Sequence, residues 1–277
     1  MNASEEPDWQ SVERHAVSLI DKGHELQRLG CDKEALASFD KAVTICRAIS
    51  DKSDPVSLVL AQALDNKGRA LMDLKRLAEA IPCFDEAIQV HKEIVRGDGT
   101  EQDVRETAIS VMNKGLALMR LGRNEEALAC FEEALDAFRT CQSGEDIARA
   151  LANCGDLYTR EDRLDEALAA FDESLAMWEA ATAYEPDASK GDYAYTLFSK
   201  ADVLLRLERY DEALDTSGRS IALQRAIVNH VNGPKERKDL AEALNLRGDI
   251  LNKLGRTNEA QDCILEAAKL NHNTGKP

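Results

Sequence analysis

The chain has 277 residues, 31% of them charged and 44% apolar, with a formal net charge of −16. Length and composition fit a folded helical protein and exclude a chain too polar to bury a core. The negative charge disfavours nucleic acid and anionic membrane surfaces as partners, because both require a basic footprint.

In chain order, residues 1–8 read as a flexible N-terminus that lacks the basic and apolar regions of a secretory signal. A first pair of helices is expected over about 9–51, its members parted by "LGCD" at 29–32. Five further pairs follow over about 52–97, 98–142, 143–184, 185–232 and 233–271, with "LGRN" and "LGRT" as the clearest of their turns. In such breakers Gly suits a helix C-terminus, and the Asn or Asp suits the next N-cap. The joints between pairs fall at "SDKSDP", "RGDGT", "CQSGED", "YEPDASKGD" and "NGPKE", where Pro55, Pro186 and Pro234 stand at places suited to a helix start. Residues 272–277 read as a flexible tail, and 9–271 as a single array of twelve helices, mostly about 15 to 22 residues long.

The pairs share one skeleton. Gly23, Gly68, Gly115, Gly155, Ala201 and Gly248 align, and twelve residues after each stands an alanine: Ala35, Ala80, Ala127, Ala167, Ala213 and Ala260. Four further on come Phe39, Phe84, Phe131, Phe171, Ser217 and Ile264, and three beyond those a small residue. Offsets of three, four and seven put these positions on one helical face, where small residues admit close backbones and Phe fills the space between. A single hairpin of this kind cannot bury its apolar stripe; a stack can.

This Gly, Ala, Phe, Ala skeleton resembles the tetratricopeptide repeat, from about Trp9 to Leu270. The resemblance implies an all-α, right-handed α-solenoid superhelix of six helix-turn-helix hairpins. The departure is the period: intervals of 45, 47, 40, 46 and 47 residues, against the 34 usual for the family. An insertion of about 11 residues is close to three helical turns, so both helices can lengthen in phase.

The resemblance also implies that the first helix of each hairpin (helix A) lines a concave groove and the second (helix B) lies outside. The acidic runs "NEEAL", "LDEAL" and "YDEAL" then fall on the outer, solvated side. One inner row, two residues before the marker glycine, contains Asn66, Asn113 and Asn153. Their carboxamides can hold an extended peptide backbone, as in family members, or bond within and between their own helices. A second row, five residues after the marker, contains Arg28, Arg120, Arg160, Arg206 and Lys253, suited to an acidic segment or to helix C-terminal carbonyls. Arg69 is a further inner-face cation. All five tyrosines fall between 158 and 210, near Trp178 and Phe198; Tyr195 and Phe198 take inner-face positions, as anchors or as compensation for Ser217 and Gly218 nearby.

On the expected inner face, neither Ile20, His24, Asn66, Ile109 and Asn113 nor Asp65, Arg69, Asn113, Arg149 and Asn153 supplies the cationic pocket of the family's carboxylate clamp, so binding of a chaperone C-terminus is not expected. No phosphate loop, G-x-S-x-G elbow or H-E-x-x-H pair is present, and the histidines are scattered, so neither an enzyme nor a cofactor is expected. The seven cysteines contain no C-x-x-C pair; Cys83, Cys130 and Cys263 share one repeat position, which favours a buried apolar role in a reducing cytoplasm and no metal. No stretch approaches a membrane span. The expected function is a cytoplasmic, non-catalytic scaffold that takes a peptide or helical segment of a partner protein. The alternatives are a peptide-sensing regulator without its own DNA-binding domain and self-association through the C-terminal helix, where Ile264, Leu265 and Ala268 have no further helix to cover them.

Overall fold

The structure is a computed structural model, and it describes residues 9–48, 55–96, 99–184, 190–231 and 233–272. Among these residues there are twelve helices and no strand. They are α1 Trp9–Arg28, α2 Asp32–Arg47, α3 Pro55–Asp73, α4 Leu77–Arg96, α5 Glu101–Arg120 and α6 Asn124–Thr140, then α7 Gly144–Arg160, α8 Leu164–Tyr184, α9 Lys190–Arg206, α10 Tyr210–Val231, α11 Pro234–Lys253 and α12 Thr257–His272. Pro55 and Pro234 open α3 and α11 as their fixed φ favours; Pro186 and the expected flexible ends 1–8 and 272–277 lie outside the described residues, except His272, which ends α12. The chain divides into two compact units, Met1–Gln142 and Ser143–Pro277, each carrying three hairpins.

One turn joins helix A to helix B in all six hairpins. The residue seven past the marker is left-handed each time, as Gly30, Gly122 and Gly255, or as Lys75, Asp162 and Glu208. The next amide reaches back five residues, as in Arg76 N–H to Leu71 O at 2.8 Å and Arg123 N–H to Leu118 O at 3.0 Å, which closes a Schellman motif and satisfies the orphan carbonyls of helix A. The N-cap differs from the sequence expectation. Asn124 and Asp32 are the first helical residues, and Arg123 and Cys31 occupy the cap with no side-chain cap bond. In five hairpins the cap arginine instead clasps the glutamate three residues on: Arg76 with Glu79, Arg123 with Glu126, Arg163 with Glu166, Arg209 with Glu212 and Arg256 with Glu259. Glu126, Glu166 and Glu212 come from the acidic runs, and in all five pairs the guanidinium holds its carboxyl below the usual carboxylate range.

The marker glycine exists for its neighbour. A Cβ at Gly68, Gly115 or Gly155 would fall 2.6 Å from the ring of Phe84, Phe131 or Phe171, so the aromatic of helix B lies on bare backbone of helix A. Those three rings are fully buried, each contributing about 2 kcal/mol through burial. The fifth hairpin exchanges the pair: Ala201 supplies the missing Cβ and buried Ser217 replaces the ring. Arg247 of α11 then reaches under α10 and donates to Leu214 O at 2.8 Å. A Cβ on Gly218 would lie 3.1 Å from that guanidinium, so Gly218 gives up helix propensity to admit it.

Within each unit the A helices touch: α1 with α3 and α3 with α5, then α7 with α9 and α9 with α11. Helices α2, α4, α8 and α10 each pack on their own A helix and on the next within the unit, rather than on the neighbouring B helix. Successive B helices are linked at their surface by long-range ion pairs: Arg47 with Glu86, Lys92 with Glu133, Glu179 with Arg219, and Arg225 with Glu266. The A side is therefore the close side of each stack and the B side the spread one.

Candidate functional site

On the A-helix face of the first unit, Asp21, His24, Arg69 and Arg120 are exposed, Asn113 is half-buried and Asn66 is buried. His24 Nε2 stands 2.9 Å from Asn66 Oδ1, and because a carboxamide oxygen only accepts, the imidazole donates. The His24 ring also packs edge-on against Phe39, with centroids 5.6 Å apart. Asn66 is thus held across two helices by a neighbouring side chain.

The second unit is more polar in its middle. Asp156, Asp202 and Asp249 occupy one position, a residue past the marker, on α7, α9 and α11. Tyr195 donates its hydroxyl to Asp156 Oδ2 at 2.8 Å, and Ser199 bonds the same carboxylate. Burial raises the Asp156 carboxyl above the usual carboxylate range, offset in part by those two hydroxyls and by Arg160. Asp202 is likewise raised by burial, with Arg206 working against it. Burial of the hydroxyl, and then the Asp156 charge, push the Tyr195 phenol up. Yet Tyr195 as a residue remains 49% exposed, so its polar end is tucked in while ring surface stays open. Phe198 lies beside it, half-buried, with centroids 6.5 Å apart.

The arginine row has a local role at one place. Arg206 donates to Thr159 O at 2.9 Å, in the last turn of α7, and to Asp162 at 2.6 Å in the α7–α8 turn. It meets a neighbouring helix's carbonyl terminus, as the macrodipole favours. Arg160 on the same row is exposed. The aromatic window separates by role. Trp178 is fully buried and donates to Thr196 Oγ1 at 3.2 Å; Tyr193 joins Glu179 and Arg219 on the B side; among the described aromatic side chains of that window Tyr195 alone is exposed, and the Tyr184 side chain lies outside the described residues. The sequence reading passed over the aspartates, whose signal was available: the same offset holds His24, Arg69 and Leu116 in the first three repeats and Asp in the last three.

One buried constellation has the residue types of a hydrolase and not its geometry. Ser110 Oγ donates to Asp65 Oδ2 at 2.7 Å, and His91 Nε2 is 3.6 Å from the same oxygen, with neither ring nitrogen hydrogen-bonded. A triad needs the serine on the imidazole and an open approach; here Ser110 gives its proton to the carboxylate and is fully buried, as is His91. Among the described residues no cluster of His, Cys, Asp and Glu suited to a metal is present, and no helix is long and apolar enough to cross a membrane.

The sequence profile of the tetratricopeptide repeat matches residues 106–180, and two further profiles of that repeat match 60–95 and 241–274. A profile of anaphase-promoting complex subunit 5 matches residues 8–64 and 161–232. No curated protein sequence matches. Among solved structures, BtubC (BKLC) from P. vanneervenii is similar at 16% identity over 87% of this chain and 92% of that one, with a TM-score of 0.72. Aspartyl phosphate phosphatase F from Bacillus subtilis is similar at 13% identity over 94% of this chain and 71% of that one, with a TM-score of 0.65. A Rap protein complexed with competence and sporulation factor is similar at 14% identity, 94% and 75% coverage, and a TM-score of 0.65. At these identities the likeness is one of fold, and a fold hosts many functions.

Proposed function

As this chain belongs to the tetratricopeptide repeat family, we propose that it is a non-catalytic protein-interaction module of the cytoplasm whose A-helix faces take a peptide segment of a partner. On the first unit the contacting residues are Asn66, Arg69, Asn113 and Arg120; on the second they are Asn153, Arg160, Tyr195, Phe198 and Arg206. The observation that carries this reading is Tyr195, whose hydroxyl is fixed on Asp156 while ring surface stays open to solvent. A rigid, half-open aromatic gains contact area at little entropic cost, which is the property of a binding anchor. Asp156 and Asp202 each lie near an arginine, Arg160 and Arg206, so the second unit's face presents both signs of charge around that anchor.

Selection from a displayed peptide library, followed by anisotropy with a selected peptide, tests this. Tyr195→Ala for a peptide that binds the second unit, and Asn113→Ala for one that binds the first, each checked for helical content, are expected to weaken binding at least tenfold, as loss of an anchor does. Selected peptides that bind both variants as tightly as the parent would place the contact elsewhere. A second reading, sensing of a small signalling peptide, is favoured by one finding: a structure of this fold is a Rap protein complexed with competence and sporulation factor. It predicts that short soluble peptides bind alone, without a flanking partner domain.

A further inference from the structure

A hollow of about 310 Å³ opens on the B side of the first unit, between α4, α5 and α6. Val104, Thr107, Ala108 and Val111 of α5 line it, with Val95 of α4 and Ala137 of α6 beside them. Its volume is at the lower end of small-molecule sites, and its lining is mostly apolar. The Thr107 hydroxyl donates to Asp103 O at 2.7 Å, which leaves its methyl group for the hollow.

The repeat register shows why the hollow exists. Where this seam has Thr107, Val111 and Ala137, the seam before it has Leu60, Leu64 and Val90. The two equivalent seams of the second unit have Tyr193, Leu197 and Leu223, and Leu240, Leu244 and Leu270. Ala108 stands opposite Ala61, Ala194 and Ala241, while positions 107, 111 and 137 are each smaller here than in every counterpart. A close-packed stack loses contacts at each truncation, and three at one seam leave apolar surface with no protein atoms against it. The mouth is charged unevenly. Among the described residues, Lys92 and Arg96 border it with a single carboxylate, Glu133, and Lys92 pairs with Glu133 at 3.0 Å. Arg96 is exposed at the end of α4.

We propose that this hollow is a binding site for a small monocarboxylate with an aliphatic body, its chain against α5 and its carboxylate on Arg96. The charge decides the class. With Lys92 held by Glu133, Arg96 is the rim cation left for a ligand, and a carboxylate beside its guanidinium gains a charge-assisted pair that an apolar chain alone would not. The site lies on other residues than the proposed peptide face, so the two readings stand or fall separately.

Octanoate, below its micellar range, is the probe, titrated calorimetrically into the full chain. Saturable binding is expected, with octylammonium binding at least tenfold more weakly and Arg96→Gln weakening octanoate about tenfold. The variant Thr107→Leu/Val111→Leu/Ala137→Leu installs residues the other seams already carry, so it should keep its helical circular dichroism, melt no lower than the parent and fail to bind octanoate. The milder Val111→Leu, matching the leucine of every other repeat, should weaken binding and serves if the triple variant does not fold. Absence of octanoate binding at millimolar concentration, equal binding of octylammonium, or undiminished binding by the filled variants would overturn the proposal. Tyr195→Ala should leave octanoate binding unchanged, which separates this site from the peptide face.

Discussion

Lys75 and Glu208 take the left-handed conformation that Gly30, Gly122 and Gly255 take elsewhere, at φ of 63° and 58°. A side chain there costs about 1 kcal/mol, so Lys75→Gly and Glu208→Gly should each stabilise by up to roughly that amount in chemical denaturation, less the added freedom of the unfolded chain. Asp162 has the same backbone but accepts from Arg206, so its replacement should gain less. Asp156 predicts a pH dependence. Its carboxyl, raised by burial, is protonated more readily in the folded state than in the unfolded one, whose ordinary value is 3.8. The stability it contributes is therefore complete below about pH 3.8 and is lost as pH rises through the higher folded pKa. Asp156→Asn keeps an acceptor for Tyr195 without the charge, so it should melt higher than the parent at pH 7, and the difference should shrink as pH falls toward 4. Cys46 is fully buried, and burial pushes its thiol up to about 11. Iodoacetamide at pH 8 should label it only after unfolding; of the three cysteines whose repeat position suggested a buried role, Cys83 is buried while Cys130 and Cys263 are half-buried.

At the scale of the helix pair, the contact between marker glycine and Phe sets the spacing of the first four hairpins. Gly115→Ala puts a methyl group 2.6 Å from the Phe131 ring, a conflict expected to cost about 1–3 kcal/mol by urea denaturation. The Ala201 and Ser217 exchange shows how the molecule resolves it, so Gly115→Ala combined with Phe131→Ser should cost less than the two separate losses together. The hairpin itself was plain in the sequence: six marker-to-alanine offsets of twelve residues, five of them from a glycine, a breaker between them, and proline at two described helix starts. The caps were not. Asn124 looked like an N-cap because its type suits one, but the Schellman turn runs one residue shorter than that reading assumed and places Arg123 there. An arginine that clasps a glutamate three residues on performs a related task with a different chemistry, and no propensity scale ranks it as a cap.

For the molecule as a whole, each unit buries its stripe by stacking, and its A helices are the ones that meet. The terminal helix differs: α12 leaves Ile264 37% and Leu265 48% exposed, while α9 holds Leu197, Val203 and Leu204 fully buried. Hydrogen exchange should accordingly open α12 well before α9, as local unfolding follows buried apolar contact. Periodicity alone determined the helices, their pairing and the residues that lock each pair, because those relations are set by offsets of a few residues within one hairpin and repeat six times. Which polar groups of the A faces are already engaged, as Asn66 is by His24 and Arg206 by Asp162, depended on contacts between residues more than forty apart in the chain. The same holds for the hollow beside α5: each of its three small residues is unremarkable where it stands, and only packing of α4, α5 and α6 brings their missing volume to one place.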